Sequence, residues 1–170
     1  SLRPHLIWGP GDNHLIPRIL ESAASGKLMQ VGDGENKVDI TYVENGALAH
    51  IQAEEALKPG SAVAGQAYFI GDAVEVKLWP WINNLLVQAG QPPLKKKISY
   101  RKAKFIGMLM EAFYKLFRLK GEPRMTRFVA AQLATSHYFS HDKAKRDFGY
   151  VAPIDSHTAM KRTMKWLAEK

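Results

Sequence analysis

The stretch from Leu2 to Asn13 constrains the fold of this chain more than any other. Leu2–Trp8 has the apolar character of a buried strand, and Gly9-Pro10-Gly11 then forces a sharp turn. Asp12 or Asn13 can cap the helix that follows, because a short polar side chain accepts hydrogen bonds from the first free N–H groups. In an open α/β sheet, ligands bind just beyond the carboxyl ends of the strands. The stretch therefore predicts either a binding site or an ordinary strand–turn–helix unit.

Composition narrows the class of protein. The chain has 170 residues, enough for one domain with a hydrophobic core, and its 46% apolar content argues against disorder. It contains no cysteine, which excludes disulfides and cysteine-ligated metals within it and fits a reducing compartment. The sequence has no run of about 18 apolar residues, which is the length that would predict a membrane span. These features favour a cytoplasmic globular protein.

The formal charge of +8 is concentrated in one segment. Residues 1–94 contain six Lys/Arg and ten Asp/Glu, whereas residues 95–127 contain eleven and two, for a net charge of +9. Residues 128–170 carry a further +3. A strongly basic segment can bind nucleic acid, anionic lipid or an acidic substrate.

Hydrophobic periodicity places strands early in the chain and helices late, a locally α+β order. Predicted strands cover residues 2–8, 28–31, 38–43 and 66–70, with the first and last of these in one parallel sheet. Predicted helices cover residues 14–25, 44–57, 78–89, 101–119, 126–135, 140–149 and 155–168. Because 38–43 alternates apolar and polar residues, it is expected to have one covered face.

The predicted helix over residues 101–119 has an apolar arc wider than one packed face needs. Lys104, Glu111, Lys115 and Arg118 form one polar stripe, and most other positions are apolar. Three interpretations remain open: a core helix, the wall of a greasy substrate pocket, or a helix lying on a membrane surface.

Several patterns that suggest chemistry are interpreted as chance matches. Tyr100-x-x-x-Lys104 has the spacing of an acid/base pair, but it lies in a lysine-rich run where such matches are common. Residues 60–65 lack the Lys-Ser/Thr ending of a phosphate loop. The six histidines show no paired ligand spacing beside a carboxylate cluster, so no metal site is predicted.

Five segments, in order along the chain, resemble parts of the extended short-chain dehydrogenases. The resemblance is to the branch of 3β-hydroxysteroid dehydrogenases and sterol-4-carboxylate 3-dehydrogenases. The segments are Arg3–Asp12, Val31–Asn45, Gly65–Ile70, Glu122–Phe128 and Lys143–Tyr150. The resemblance implies an α/β, Rossmann-type fold, of which residues 1–170 are the C-terminal substrate-binding portion.

The resemblance also shows what this chain lacks. Such enzymes carry a glycine-rich nucleotide-binding turn, a Ser/Thr and a Tyr-x-x-x-Lys before the Arg-Pro strand, and none of these precedes Arg3. Tyr100 lies long after that strand, which also argues against a catalytic role for it. The resemblance therefore implies that no catalytic residue lies in this chain and that the chain alone is inactive.

The same resemblance assigns roles to residues near the first stretch. It implies that Pro4, His5, Leu6 and Ile7 border the nicotinamide ring of NAD or NADP, with Leu6 or Ile7 bonding the carboxamide. It places Trp8, Asp12, Asn13 and Ile16 on the substrate side, and Lys37, Asp39 and Tyr42 near the rim of the cleft.

Two further substrate contacts are expected in the basic half. Phe113, on the wide apolar arc, is expected to contact a long apolar substrate. Arg127 or Lys37 would supply the positive charge for a substrate carboxylate. Relatives that act on sugar nucleotides usually have Arg-Asp where this chain has Lys37-Val38-Asp39. This difference argues against a sugar nucleotide as the substrate.

The predicted function is NAD(P)-dependent oxidoreduction at the 3-hydroxy or 3-keto position of a hydrophobic substrate. The resemblance implies two substrate classes, 3β-hydroxysteroids including 4-carboxysterols, and 2-alkyl-3-oxoalkanoates. The expected partner is the N-terminal nucleotide-binding part of the same enzyme, while contact with a membrane surface and a homodimer are left open. The alternative is a non-catalytic binding module that uses residues 95–127 on nucleic acid or anionic lipid. Aromatic residues that look buried argue against nucleic acid.

Overall fold

The protein folds into two compact units. A computed structural model describes residues 1–169. The first unit contains Ser1–Glu21, Val38–Val76 and the described chain from Tyr138 onward, and the second contains Ser22–Lys37 and Lys77–His137. The assignment of residues 1–170 to one substrate-binding subdomain stays a prediction.

The described residues form short strands and longer helices. The strands are β1 (Leu2–Pro4), β2 (Ile7–Trp8), β3 (Gln30–Val31), β4 (Lys37–Val38), β5 (Thr41–Tyr42), β6 (Tyr68–Ile70), β7 (Val76–Lys77) and β8 (Lys97–Ile98). The helices are α1 (Leu15–Ala24), α2 (Val43–Ala56), α3 (Leu78–Gln88), α4 (Tyr100–Leu116), α5 (Arg127–Ala134), α6 (Asp142–Phe148) and α7 (Ser156–Ala168). The predicted helices are all confirmed, with ends that differ by a few residues.

The predicted strand over residues 2–8 is wrong in one respect, because the chain breaks it into β1 and β2. β1 pairs in parallel with β6, as predicted, whereas β2 pairs in parallel with β5. Between them Leu6 has φ +44°, a left-handed conformation that a residue with a branched side chain rarely adopts. The backbone therefore changes strand partner just before the glycine turn.

The predicted strand over residues 38–43 is also divided, into β4 and β5. Val38, Asp39, Ile40, Thr41 and Tyr42 are all buried, so this segment has no solvent face. The alternation of apolar and polar residues was misleading because the polar side chains, Asp39 and Thr41, are buried and make hydrogen bonds inside the protein. Asp39, for example, accepts a hydrogen bond from the N–H of Phe139 at 2.7 Å.

The first unit has a hydrophobic core between its strands and its C-terminal helices. The core residues are Ala49, Val63, Tyr68, Ile70, Ala144 and Tyr150. Two helices of this unit have well-defined ends. Asp155 caps α7 by accepting hydrogen bonds from the N–H groups of His157 and Thr158, and Gly149 ends α6 at φ +70°.

The second unit is organised around α3 and the pair α4–α5. Leu85 and Leu86 of α3 are fully buried, and the indole N–H of Trp79 donates to the carbonyl of Leu133 at 3.0 Å. The β3–β8 pair, which includes a strand that the sequence analysis missed, is parallel. Among the described residues, no helix combines the length and apolarity that a membrane crossing requires.

Candidate functional site

A cavity of about 310 Å³ lies at the glycine turn that follows β2. Its walls come from residues 7–15 and from Val43, all in the first unit. The structure thereby brings together four of the predicted site residues, which are Ile7, Trp8, Asp12 and Asn13. The volume suits a flat ring or the reacting end of a small substrate.

Glycine is required at the start of this turn. Gly9 has φ +133°, and a Cβ there would lie 2.8 Å from Cγ1 of Val43 and 2.9 Å from the ring of Tyr42. The backbone can pass so close to these two side chains only because Gly9 has none. The turn then closes with a hydrogen bond from the Asp12 N–H to the Gly9 carbonyl at 3.2 Å.

Asp12, rather than Asn13, caps α1. Its Oδ1 accepts from the N–H groups of His14 and Leu15 at 2.7 and 3.0 Å, and its Oδ2 accepts from Ile16 at 2.8 Å. These bonds satisfy the first free amides of the helix. The carboxylate of Asp12 therefore holds the start of α1 in place where it lines the cavity.

Trp8, which lines the cavity, packs against Tyr42. Both side chains are fully buried, and their rings meet edge to face with centroids 5.5 Å apart. The Tyr42 hydroxyl donates to Oε1 of Glu44 at 2.8 Å, and Oε2 of Glu44 pairs with Arg162. Burial, reinforced by the Glu44 carboxylate, raises the pKa of Tyr42 to about 12. Its phenol therefore stays protonated at neutral pH.

The predicted cofactor-bordering residues lie along the strand break. The Thr41 hydroxyl donates to the carbonyl of His5 at 2.8 Å and accepts from the N–H of His5 at 3.2 Å. The N–H of Thr41 donates to the carbonyl of Leu6 at 3.2 Å. These contacts already occupy two of the carbonyl groups in the segment. Ile7 is different, because its side chain is 49% exposed and borders the cavity.

The fit of a nicotinamide ring can be judged from these features. A flat, partly apolar ring needs a small cavity with an exposed aliphatic wall and a close-lying backbone, and Ile7 with the Gly9–Gly11 turn provides both. The residues present fit the ring. Among the described residues, none supplies the glycine-rich turn that would hold a pyrophosphate.

The remaining predicted residues do not line this cavity. Ile16 is fully buried, and Pro4, His5 and Leu6 precede the cavity along the chain. Lys37, Phe113 and Arg127 belong to the second unit. Within that unit Nε of Arg127 pairs with Oε2 of Glu111 at 2.7 Å, and the Arg127 N–H donates to Oε1 of the same residue at 2.7 Å.

A second cavity of about 600 Å³ lies at the carboxyl end of β6, also within the first unit. Asp39, which the resemblance placed near the cleft rim, lines it, and its Oδ2 lies 3.3 Å from Nε2 of His141. A Cβ on Gly71 would lie 2.6 Å from Cε1 of His141, so glycine is needed there for the imidazole to reach Asp39.

Asp72 is a buried acid that the sequence analysis missed. Its Oδ1 accepts from the N–H of Tyr42 at 3.0 Å and from Nδ2 of Asn45 at 2.8 Å. Burial raises the pKa of this carboxyl, while hydrogen bonds from Asn45, Tyr42 and the Trp8 indole partly oppose the rise. A sequence signal existed, since Asp72 directly follows the predicted strand over residues 66–70 and Gly71, and ligands in open α/β sheets bind beyond the carboxyl ends of strands.

Comparison with known proteins identifies the family. Residues 1–101 match the 3-beta hydroxysteroid dehydrogenase/isomerase family. The chain belongs to this family.

Sequence matches to individual relatives cover nearly the whole chain. It is 49% identical to 2-alkyl-3-oxoalkanoate reductase of Stenotrophomonas maltophilia, over 95% of this chain and 49% of that protein. It is 32% identical to the decarboxylating sterol-4-alpha-carboxylate 3-dehydrogenase of Mus musculus, over 97% of this chain and 46% of that protein. The chain thus spans about half the length of the curated relatives that it matches.

Solved structures support the fold. The crystal structure of gox2253 matches 99% of this chain and 48% of that chain, with TM-score 0.70 and 27% identity. The NAD-bound dTDP-glucose 4,6-dehydratase from Streptomyces venezuelae matches 99% and 43%, with TM-score 0.64 and 17% identity. The predicted Rossmann-type α/β class is confirmed.

Two negative expectations concerned chemistry in the chain itself. Among residues 1–169, no group of three or more His, Asp or Glu side chains is arranged to hold a metal ion. Tyr100 is the first residue of α4, and Nζ of Lys104 lies over its ring, 5.8 Å from the centroid. Tyr100 belongs to the second unit, whereas the cavity at the glycine turn belongs to the first.

Proposed function

We propose that this chain is the substrate-side part of an NAD(P)-dependent oxidoreductase that acts at the 3-hydroxy or 3-keto position of a hydrophobic substrate. The observation that carries the proposal is the 49% identity to a 2-alkyl-3-oxoalkanoate reductase over 95% of the chain. The chain corresponds to the C-terminal substrate-binding subdomain. Its proposed partner is an N-terminal nucleotide-binding part of the same enzyme.

The substrate class follows from the relative similarities. Identity is 49% to the oxoalkanoate reductase and 32% to the sterol dehydrogenase, so we assign 2-alkyl-3-oxoalkanoates as substrates ahead of 4-carboxysterols. Both classes combine a carboxylate, an oxygen at C3 and a long apolar body. Lys37 and Arg127 are the proposed carboxylate contacts and Phe113 a proposed apolar contact. All three stay predictions.

The cofactor proposal places the nicotinamide beside Pro4, His5, Leu6 and Ile7. When bound, the nicotinamide supplies the hydride chemistry. The chain's own contribution is orientation, because the backbone of this segment is fixed by Thr41 and the exposed side chain of Ile7 offers a flat apolar wall. Trp8, Asp12, Asn13, Ile16 and Tyr42 are proposed to shape the substrate side.

The alternative function, a non-catalytic binding module on nucleic acid or anionic lipid, finds no support in the relatives, which are named as oxidoreductases. We place the enzyme in the cytoplasm, and contact with a membrane surface stays a prediction. Homodimer formation stays a prediction.

Steady-state kinetics of the natural protein that contains this chain tests the function. We expect turnover of a long-chain 2-alkyl-3-oxoalkanoate with NADH or NADPH, and a lower kcat/KM for a 4-carboxysterol. Turnover of the sterol alone would reassign the substrate class. Absence of turnover with both substrates and both cofactors would remove the proposed function.

A matched pair of variants tests the proposed cofactor border. Ile7→Asp should raise the KM for the cofactor by about tenfold, since a charge replaces an apolar wall and removes binding energy. Val74→Asp is the control, because Val74 is an exposed apolar residue of the same unit that does not line the cavity. Equal cofactor KM values for the two variants would show that Ile7 does not border the ring.

A further inference from the structure

Hydrogen-bond donors from three different elements converge on the buried carboxyl of Asp72, which follows β6. Its Oδ1 accepts from the N–H of Tyr42 in β5 at 3.0 Å and from Nδ2 of Asn45 in α2 at 2.8 Å. A hydrogen bond from the indole of Trp8 in β2 also lowers the pKa of this carboxyl. The two oxygens of one carboxyl can accept all three bonds. Asp72 therefore ties β2, β5 and α2 to the end of β6.

Asn45 fixes the Asp72 carboxyl to the C-terminal segment. Asn45 is fully buried, its Nδ2 also donates to the carbonyl of Ile154 at 2.9 Å, and its Oδ1 accepts from the N–H of Ile154 at 3.1 Å. Both hydrogens of the amide and its oxygen are thus bonded, which allows only one orientation of the side chain. Ile154 directly precedes Asp155, the cap of α7. The Asp72 carboxyl is therefore held from two sides, by its own strand and by the start of α7.

The residues bonded to Asp72 belong to the wall of the cavity at the glycine turn. Trp8 lines this cavity, and so does Val43, which directly follows Tyr42. Trp8 and Tyr42 are also partners in the β2–β5 register. The turn leaves no room for a shift, since a Cβ on Gly9 would lie 2.8 Å from Cγ1 of Val43 and 2.9 Å from the ring of Tyr42. Movement of Trp8 or Tyr42 would therefore change the shape of the cavity.

A carboxyl is a costly group to use for a purely structural bond at this place. Burial raises the pKa of Asp72, because the protein interior disfavours the charged form. Buried ionisable groups that only join elements can often be replaced by well-packed apolar residues with little loss of stability. Ionisable groups with shifted pKa values are concentrated instead at functional sites. The bonds of Asp72 to the wall of the candidate site therefore favour a role in the reaction.

We propose that Asp72 is a positioning residue for the oxidoreductase reaction. Its carboxyl holds Trp8 and the junction of β5 and α2 in the places that shape the cavity at the glycine turn, so that the nicotinamide and the substrate meet in the reactive geometry. Asp72 does not line this cavity itself and acts through Trp8 and Tyr42. This inference rests on the proposed function and adds to it a residue that the family resemblance did not mark.

Nuclear magnetic resonance of tryptophan indole groups tests the positioning independently of activity. The natural protein is labelled with ¹⁵N-tryptophan, and the Trp8 indole resonance is identified by its loss in Trp8→Phe. In Asp72→Asn an amide NH₂ group replaces one acceptor oxygen, so three donors face one oxygen and the Trp8 resonance should shift. Val63→Ala is the matched control, because Val63 is a buried core residue of the same unit that lines neither cavity. In this control the Trp8 resonance should stay in place.

Kinetics of the same variants separates positioning from stability. Asp72→Asn should lower kcat for reduction of a long-chain 2-alkyl-3-oxoalkanoate by about tenfold or more, with both KM values within about threefold of wild type. The reason is that a displaced wall disturbs the reacting geometry more than it removes contacts. Val63→Ala should lower the melting temperature, since it truncates the core, yet keep kcat within about twofold of wild type.

A second variant breaks the same link from the other side. Asn45→Ala removes the bond to the Asp72 carboxyl and the connection to Ile154. It should also shift the Trp8 resonance and lower kcat by about tenfold. This variant decides the proposal even if Asp72→Asn fails to fold.

The outcomes separate this role from the proposed function. A Trp8 shift together with a fall in kcat in Asp72→Asn or Asn45→Ala, with neither in Val63→Ala, would support the role. It would be overturned by an unchanged Trp8 resonance, by an unchanged kcat with or without a rise in KM, or by an equal loss of kcat in Val63→Ala. All of these leave the proposed function standing. Absence of wild-type turnover would instead overturn the proposed function, and this role with it.

Discussion

Thr41 is the residue on which the break between β1 and β2 depends. Its hydroxyl donates to the His5 carbonyl and accepts from the His5 N–H, at a point where the backbone leaves one strand pairing for another. In Thr41→Val the N–H of His5 loses its acceptor in a part-buried site. We expect the free energy of unfolding to fall by about 1–3 kcal/mol, measured by denaturant titration.

Thr163→Val is the matched control for Thr41→Val. Thr163 is equally buried, but its hydroxyl only donates to the carbonyl of Ala159 one turn back in α7, so its removal leaves no donor unpaired. We expect a change within about 1 kcal/mol. Similar losses in the two variants would contradict the role assigned to Thr41.

Asp72 gives the molecule a testable dependence on pH. Burial raises the pKa of its carboxyl, so the folded protein still binds this proton at pH values where the unfolded chain has lost it. The contribution of Asp72 to the free energy of unfolding therefore falls as pH rises from about 3.9 to the raised pKa.

The variant Asp72→Asn isolates this effect, because all other titrating groups are retained. Across that acid window the stability of wild-type protein should decrease with pH relative to Asp72→Asn, and above it the difference should become constant. Parallel stability curves, or a wild-type curve that rises relative to the variant, would contradict the buried, raised carboxyl.

The residues that the sequence could not predict are those fixed by distant partners. Leu6 has no local signal for its left-handed conformation, which depends on Thr41, 35 positions later. The position of the Asp72 carboxylate likewise depends on hydrogen bonds from Asn45 and Tyr42, which lie far from it in the sequence. By contrast, Asp12 was predictable as a possible cap, since a cap bonds residues that follow it directly.

At the scale of elements, the helices and the longer strands, including the parallel β1–β6 pair, were predictable, whereas the shortest strands were not. Helix ends depend on local signals, because a capping residue bonds backbone groups only a few positions away. Thr126 and Asp155 cap the starts of α5 and α7 in this way, and Gly149 ends α6. β7 and β8 each contain two residues, which is too short for a period-two pattern to appear. Pairing across long sequence separations creates such strands, so local patterns miss them.

The close packing of α4 on α5 gives a prediction at this scale. Gly107→Ala should destabilise the protein by about 1–3 kcal/mol, because the new methyl would meet backbone atoms of Thr126 and Arg127 below 3 Å. That loss should exceed the helix-propensity gain of up to about 1 kcal/mol.

Gly46→Ala is the control for Gly107→Ala, measured by the same thermal unfolding experiment. Gly46 lies in α2, and a Cβ there meets only a side-chain methyl of Thr41, at 3.3 Å. We expect little net change. A stabilising effect of Gly107→Ala would show that the two helices are not packed as closely as described.

At the scale of the whole molecule, the chain contains one part of the proposed cofactor site and spans about half the length of its curated relatives. The turn at Gly9–Gly11 and its cavity are in this chain, and the motif that would bind the nucleotide phosphates is not among the described residues. Tyr100→Phe in the natural protein should therefore leave kcat within about twofold of wild type, since Tyr100 has only the spacing of an acid/base residue. A loss of activity of several orders of magnitude, with the melting temperature unchanged, would make Tyr100 a catalytic residue.

Isotope transfer tests the central claim most directly. The natural protein is incubated with a long-chain 2-alkyl-3-oxoalkanoate and a reduced nicotinamide cofactor in which both hydrogens at C4 are replaced by deuterium, and the product is analysed by mass spectrometry. The proposed function predicts a 3-hydroxy acid with deuterium bound to C3, because the cofactor hydride adds to that carbon. Unchanged oxoalkanoate with both NADH and NADPH, or a product without deuterium at C3, would contradict it.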